Sequence, residues 1–476
     1  MRLSQIAVAD SSSKSSARER LEAFLDGRRK AGPPEDVGAF EQQMHALFMA
    51  AEAEAMGREL SKFDLDAPEI LVDGVPHRRV LRCRQTYQAA SGKVMVERSL
   101  YSTRKDGERA VSPMEVRAGI IEGYWTPLAA KQAIWAVGHL VPRECAEMFE
   151  VMGGMKPSRS ALDVLPKDVS ERWEVCRPQF EAMLRMEETV PKEAAVVAVS
   201  LDGVLVPMKD GDRQAKRRRA GAEERPERGP SGYQEVGCGT VTLYDRSGKP
   251  LRTVRVARMP ESKKPTLKKA LGQELAAIRR QRPDLKLVKV ADAARDNWDF
   301  LSHQLPKGHE VIDFYHATAH LQAALEAAYG EASQKAREQG AKLRDVLLED
   351  PGGVDRVIRA LVHLRDRHRR RKKIATELVF FRRNRHRMHY AEMAAGGLPI
   401  GSGITEAACK TLVTQRLKRS GMRWRHDGGQ AILTIRAWTQ SGRFDRAWAL
   451  FAETYKQEAA LPGNIIPMPK RVVVSV

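Results

Sequence analysis

Long apolar runs are missing from this chain of 476 residues. None approaches the ~18 consecutive apolar residues that a membrane-spanning helix needs. The opening Met1-Arg2-Leu3-Ser4-Gln5 leads into a Ser/Lys-rich tract, without the apolar middle and small-residue cleavage site of a secretory signal. A cytoplasmic location is the expectation. Cysteine is scarce: Cys83, Cys145, Cys176, Cys238 and Cys409 are scattered, with none close enough in sequence for a zinc knuckle. That spacing also argues against a disulfide framework, and the five read as small buried residues in a reducing compartment. Acidic charge is in deficit, 61 Asp+Glu against 81 Lys+Arg, a formal net of +20.

Such a cation repels itself and attracts polyanions, of which nucleic acid is the common intracellular one. Each neutralised phosphate releases counterions, so binding is expected to be steeply salt-dependent. The charge is spread along the chain and not gathered on one amphipathic face, which disfavours a membrane-surface role. An apolar share of 42% with 30% charged residues fits a soluble globular protein, not a disordered one. The length suggests about two to four domains.

The expected fold class is multidomain α+β. Residues 1–68 form a helical region after a polar start. Phe40, Met44, Leu47, Phe48 and Ala51 carry the spacing of an amphipathic helix there. In 69–110, β-rich runs separated by Asp73-Gly74 and Ser91-Gly92 predict a small antiparallel module. Residues 111–189 turn helical. A helix from Pro142 to Met152, a Gly153-Gly154 break and a second helix opening near Ser158 fit a helix-turn-helix, with Arg159 leading into a DNA groove. An ordinary helical hairpin fits equally.

Residues 190–316 and 396–456 read as one α/β domain. The run AAVVAVSLDGVLVPM has the continuity of a strand buried on both faces. Strands at Glu235–Tyr244 and Leu251–Ala257 follow, then a helix, a strand Leu285–Ala291, a helix and a strand Glu310–Phe314. Three strands followed by alternating helix and strand is the order of an RNase H-like layer. Residues 317–395 are predicted to be a basic helical insertion, and 457–476 a loose tail. A polar segment holding Arg217, Arg218 and Arg219 reads either as a loop that touches a DNA backbone or as a solvated linker. No internal repeat is visible.

Three carboxylates stand out by position. Asp202 lies in or just after the first buried strand, Asp292 ends the fourth, and Glu406 opens a late helix. Carboxylates beside a buried strand are costly unless paired or metal-bound. Their oxygens suit Mg²⁺ or Mn²⁺, and two ions ~3.5–4 Å apart can activate an attacking oxygen and stabilise a leaving one. Each also has a bland use. Asp202-Gly203 suits a turn, Asp292 a helix cap, and Glu406 a first-turn position pairing with Lys410. Lys410, Arg416, Lys418 and Arg419 follow Glu406 and fit phosphate-positioning roles. Trp424 reads first as core, with base stacking the other use. His316 and His320 share a helical face. They could bind a metal, but without a third ligand nearby they read first as a hydrogen-bonding or packing pair.

The string LPIGSGITEAACKTLVTQRLKRSGMRW resembles the closing motif of bacterial insertion-sequence transposases of the ISKra group. VSLDGVLVPM, ADAARDNWDFL and VIDFYHATAHL resemble the motifs that precede it. Asp313-Phe314-Tyr315-His316 is similar to the Asp-x-x-His element of Mutator-like transposases. The resemblance covers about residues 190–450. It implies an RNase H-like domain with an Asp/Asp/Glu triad, carried here by Asp202, Asp292 and Glu406, with Asp313 and His316 as accessory residues. It further implies Mg²⁺-dependent cleavage and joining of double-stranded DNA by a homo-oligomer that pairs two ends. One position departs, Ala293, where relatives commonly have Gly. A structure-selective nuclease and a non-catalytic DNA-binding derivative are the other readings.

Overall fold

The computed structural model describes residues 15–103, 109–209, 232–368 and 371–463. Arg217, Arg218 and Arg219 lie outside the described residues. The chain divides into two compact units, Met1–Arg172 with Trp448–Val476, and Trp173–Ala447. The division falls inside the 29-residue helix Arg159–Glu187 and not at the expected boundary near 189.

The first unit opens with α1 (Ala17–Lys30) and α2 (Val37–Ser61). Ser16 and Glu19 cap α1 reciprocally, each side chain accepting the other's backbone N–H. β1 (Glu69–Val72), β2 (Val75–Ala89) and β3 (Gly92–Ser102) form an antiparallel sheet in the order β3-β2-β1. A fourth strand, Ala459–Ala460, adds to β1. The segment predicted to be a loose tail is therefore ordered at its start: Leu71 and Val72 pair with it, and Ala459 joins the core around Ile70 and Tyr101. Then come α3 (Pro113–Ala118), α4 (Pro127–His139), α5 (Pro142–Val151) and α6 (Arg159–Glu187). The predicted break between the last two holds Gly153 at φ +73°, where a Cβ would also strike the His45 ring at 2.9 Å. Arg159 is exposed at the start of α6.

In the second unit, β4 (Val196–Pro207), β5 (Tyr233–Tyr244), β6 (Pro250–Arg258), β7 (Lys286–Ala291) and β8 (His309–Ile312) form one sheet. Its order is β6-β5-β4-β7-β8, with β4 antiparallel to β5 and parallel to β7. Helices α7 (Pro265–Gln281) and α8 (Arg295–His303) supply the crossovers. A helical set follows: α9 (Phe314–Tyr329), α10 (Gln334–Glu349), α11 (Gly353–Arg367), α12 (Arg371–Asn384) and α13 (Tyr390–Ala395). The strand predicted through Phe314 stops at Ile312, since the Asp313 side chain accepts the His316 amide and starts α9 instead. One core of sheet and helix side chains, from Val197 to Leu361 and Phe381, runs through both parts.

The chain then returns to the sheet through α14 (Gly403–Ala408), a π-helical stretch Cys409–Thr414 and the short α15 (Gln415–Leu417). α16 (His426–Gln440) and α17 (Phe444–Glu453) follow. Arg443 is buried between Glu188 and Glu274, at 2.6 and 2.7 Å, and ties the end of this return to α7. Among the described residues no helix is long and apolar enough to cross a membrane.

Candidate active site

Asp202 and Asp292 meet at the middle of the second unit's sheet. β4 pairs with β7 only through Ser200 and Val290, after which the two strands part. Asp202 sits two residues past that point, and Asp292 is the first residue after β7. Side chains at the carboxyl ends of adjacent parallel strands border a natural crevice. Asp202-Gly203 is not a turn: both residues stay in β4, opposite Cys238 and Gly237 of β5. The Glu235 side chain lies across Gly203, where a Cβ would fall 1.8 Å from Glu235 Oε1 unless that side chain shifted.

Asn297 ties Asp292 to the residue before Asp202. Its Nδ2 donates to Asp292 Oδ1 at 3.1 Å and to the Leu201 carbonyl at 3.5 Å. Asn297 is 2% exposed, and its Oδ1 finds no partner among the described residues. Asp292 Oδ1 also accepts the Ala294 amide, and the Trp298 ring N–H donates to the Asp292 carbonyl at 2.5 Å. Burial, and after it the negative charge of Asp292, push the Asp202 carboxyl above its usual range. The Gly203 amide and the Lys264 charge pull in the other direction. Lys264 holds a left-handed backbone (φ +51°) at the start of α7 and pairs with Glu235 at 2.5 Å. A non-glycine residue held there has an energetic cost that surrounding structure must offset.

Glu406 is exposed one turn along the helix from a direct contact with this pair. Cys409 Sγ lies 3.8 Å from Asp202 Oδ2. Residues three apart on a helix have Cβ atoms ~5–6 Å apart, which makes Glu406 a neighbour of Cys409. Thr405 locks that face to β5 through a 2.7 Å contact between its hydroxyl and that of Thr240. Ser402 Oγ reaches Glu406 Oε1 at 3.4 Å.

Asp313 is 1% exposed. Its carboxylate accepts the His316 amide at 2.6 Å and the amide of Ser402. Its backbone N–H donates to Ala291, beside Asp292, and the Phe314 N–H donates to Ile400. Asp313 thus links the end of β7, the start of α9 and the segment leading into α14. Gly401 makes room, since a Cβ there would stand 3.1 Å from the Tyr315 ring and 3.5 Å from Asp313 Oδ2.

The basic residues after Glu406 separate into two groups. Lys410 and Lys418 are exposed and Arg419 is half-buried. Arg416 is only 2% exposed, with its guanidinium over the Trp424 ring at 5.4 Å. It packs the helix instead of offering charge to a phosphate, because its side chain points under the chain that returns at Trp424. Trp424 is engaged within the protein: its ring N–H donates to Leu417, and its backbone bridges Pro207 and Lys209 of the β4 end.

Sequence reasoning missed Asn297, Lys264, Ser402 and Cys409. The spacing Asp292 to Asn297, about one helical turn past a strand end, is the one signal that could have found a member of this group.

Among the described residues, no three acidic, histidine or cysteine side chains stand close enough together to hold a metal ion as placed. The donor chemistry still suits a hard divalent cation, with two carboxylates near enough for the charge of one to raise the other, and an Asn297 amide oxygen without a hydrogen-bond partner.

No family model matches the chain, and no curated protein does. Among solved structures the chain is similar to the Drosophila P element transposase strand transfer complex, at TM-score 0.24 and 10% identity. The match covers 74% of this chain and 86% of that one. It is also similar to the Mos1 transposase paired-end complex with left transposon end, at TM-score 0.14 and 13% identity, over 53% of this chain and 78% of that one. At these scores the backbones do not correspond closely enough to transfer any residue's role.

Proposed function

We propose that this protein is a DNA transposase whose second unit is an RNase H-like catalytic domain, using Asp202, Asp292 and Glu406. The observation that carries the reading is the placement of Asp202 and Asp292 where β4 and β7 stop pairing, with Asn297 tying the Asp292 carboxylate to the Leu201 carbonyl beside Asp202. The sheet order, three antiparallel strands extended by two parallel ones, supports the fold assignment. The resemblance of the four sequence motifs to ISKra-group transposases supports the activity.

In this reading Asp202 and Asp292 hold a Mg²⁺ or Mn²⁺ ion, and Glu406 completes the set by a rotamer change from its exposed position. Bound there, such an ion lowers the charge of a scissile phosphate and acidifies the attacking hydroxyl. Asn297 keeps Asp292 turned toward Asp202. Lys264 offsets part of the carboxylate charge in the DNA-free state. The Asp313 clamp on Ser402 fixes where α14 begins, and so where Glu406 projects. Lys410, Lys418 and Arg419 hold the strand by its phosphates without reading bases. In the first unit α5 and α6 serve as the DNA-reading hairpin, with Arg159 at the groove. A dimer holding two ends follows from the reaction, which joins both ends of one element to a target.

The test uses the full chain with duplexes carrying the DNA that flanks its own gene, in Mg²⁺. Cleavage at defined ends followed by strand transfer is expected, and both are lost in Asp202→Asn and Asp292→Asn while binding persists. Strand transfer surviving in Asp202→Ala overturns the assignment. Hydrolytic products alone would make the protein a nuclease.

A further inference from the structure

His316 and His320 lie one turn apart on α9, and the fold gives them a third partner that is remote in sequence. Glu377 of α12 places its Oε2 2.6 Å from His320 Nδ1. The Nε2 atoms of the two imidazoles face each other at 3.2 Å. Phe380 stacks flat on the His320 ring, with centroids 3.7 Å apart and planes at 18°. The amide of His316 is held by Asp313. The His320 ring is therefore oriented by Glu377 and Phe380, while Asp313 fixes the backbone of His316, and the two rings present the same nitrogen to each other.

We propose that His316 and His320 form a second metal site, for a borderline divalent cation such as Zn²⁺, separate from the carboxylate pair. The spacing fits. Two nitrogens bound ~2.1 Å from one ion stand about 3.4 Å apart at the tetrahedral angle and about 3.0 Å apart at a right angle. The observed 3.2 Å lies between these values. Glu377 takes the role that a carboxylate commonly plays behind a metal-bound histidine. It accepts the Nδ1–H, fixes that tautomer and leaves Nε2 with its lone pair free for a ligand. Half-buried His316 and His320 leave the remaining coordination positions open to water. Imidazole nitrogen selects Zn²⁺, Ni²⁺, Co²⁺ or Cu²⁺ over Mg²⁺, so ligand chemistry keeps this site apart from the carboxylates.

A hydrogen bond between two neutral imidazoles explains the same 3.2 Å contact without any ion, and metal titration separates the two. The full chain, stripped with a chelator, is titrated with Zn²⁺ by calorimetry and with Co²⁺ by visible absorption. Wild type, His320→Asn, His316→Asn and Glu377→Gln are compared, each checked for native circular dichroism. The expected result is one Co²⁺ per chain with d–d bands that both histidine variants abolish. Glu377→Gln should weaken Zn²⁺ binding by ~10–100-fold, the usual effect of losing the partner behind a ligand. Excess Mg²⁺ should not compete. Wild-type affinity and Co²⁺ bands matched by folded His320→Asn would overturn the site. A Glu377→Gln chain that misfolds leaves the two histidine variants to decide.

Discussion

The Asp313 carboxylate accepts the backbone amide of Ser402, 89 residues further along the chain. The bond spans the whole helical insertion and sets the start of the helix that carries Glu406. Asp313 is buried, so in the proposed reading it serves as a positioning residue. A misplacement of ~1 Å at a reacting group costs about 10²-fold in rate. Asp313→Ala is expected to slow strand transfer by that order, with little change in binding to end DNA. A gel-based single-turnover assay beside a binding isotherm checks it. Equal losses in rate and binding would point to general unfolding instead.

Asn297→Ala removes the bridge between Leu201 and Asp292. Turnover is expected to fall while the Mg²⁺ concentration needed for half-maximal rate rises, because Asp292 is no longer held toward Asp202. A Mg²⁺ titration of cleavage rate gives both numbers. An unchanged metal requirement would remove Asn297 from the site.

Burial and the like charge of Asp292 both disfavour ionised Asp202. Asp202→Asn should therefore raise the thermal midpoint measured in chelator, while abolishing activity. Sites built for function commonly show this opposition. A lowered midpoint would mean that Asp202 is structural.

Arg443 is the buried counter-charge of Glu188 and Glu274. Removing one partner of such a group leaves uncompensated buried charge and costs about 3–5 kcal/mol. Arg443→Leu should lose that much in urea unfolding of the full chain. Burial pushes the Glu188 carboxyl up, but hydrogen bonds and charge from Arg443 and Arg446 outweigh it and leave the group below its ordinary value of 4.5. A depressed carboxylate contributes stability in full above its unfolded value and loses it as pH falls toward the folded one. Acid unfolding that sets in below about pH 4.5, and that is flattened in Arg443→Leu, is expected.

Lys410 and Lys418 are exposed and Arg416 is not. If each lysine meets one phosphate, Lys410→Ala with Lys418→Ala should reduce the slope of log affinity against log salt by about two. Arg416→Ala should leave the slope alone and destabilise the segment around Trp424. Fluorescence anisotropy across a salt series tells these apart.

The strands of the second unit and their order were legible along the chain. Near-continuous apolar runs such as Val196–Leu201 have few other solutions than a buried strand, and helical spacing marked the insertion. Net charge, the scarcity of cysteine and the positions of the three carboxylates were equally open to reading. Local patterns carry these features because burial periodicity is written residue by residue. Pairing between distant segments is not. That Ala459–Ala460 completes the first sheet depended on the chain returning to β1. That Arg416 lies inside depended on Trp424 closing over it. That Asn297, Lys264, Cys409 and Glu377 stand where they do follows from contacts across 57 to 207 positions. Sequence alone determined which residues have the chemistry; tertiary closure alone decided which of them meet.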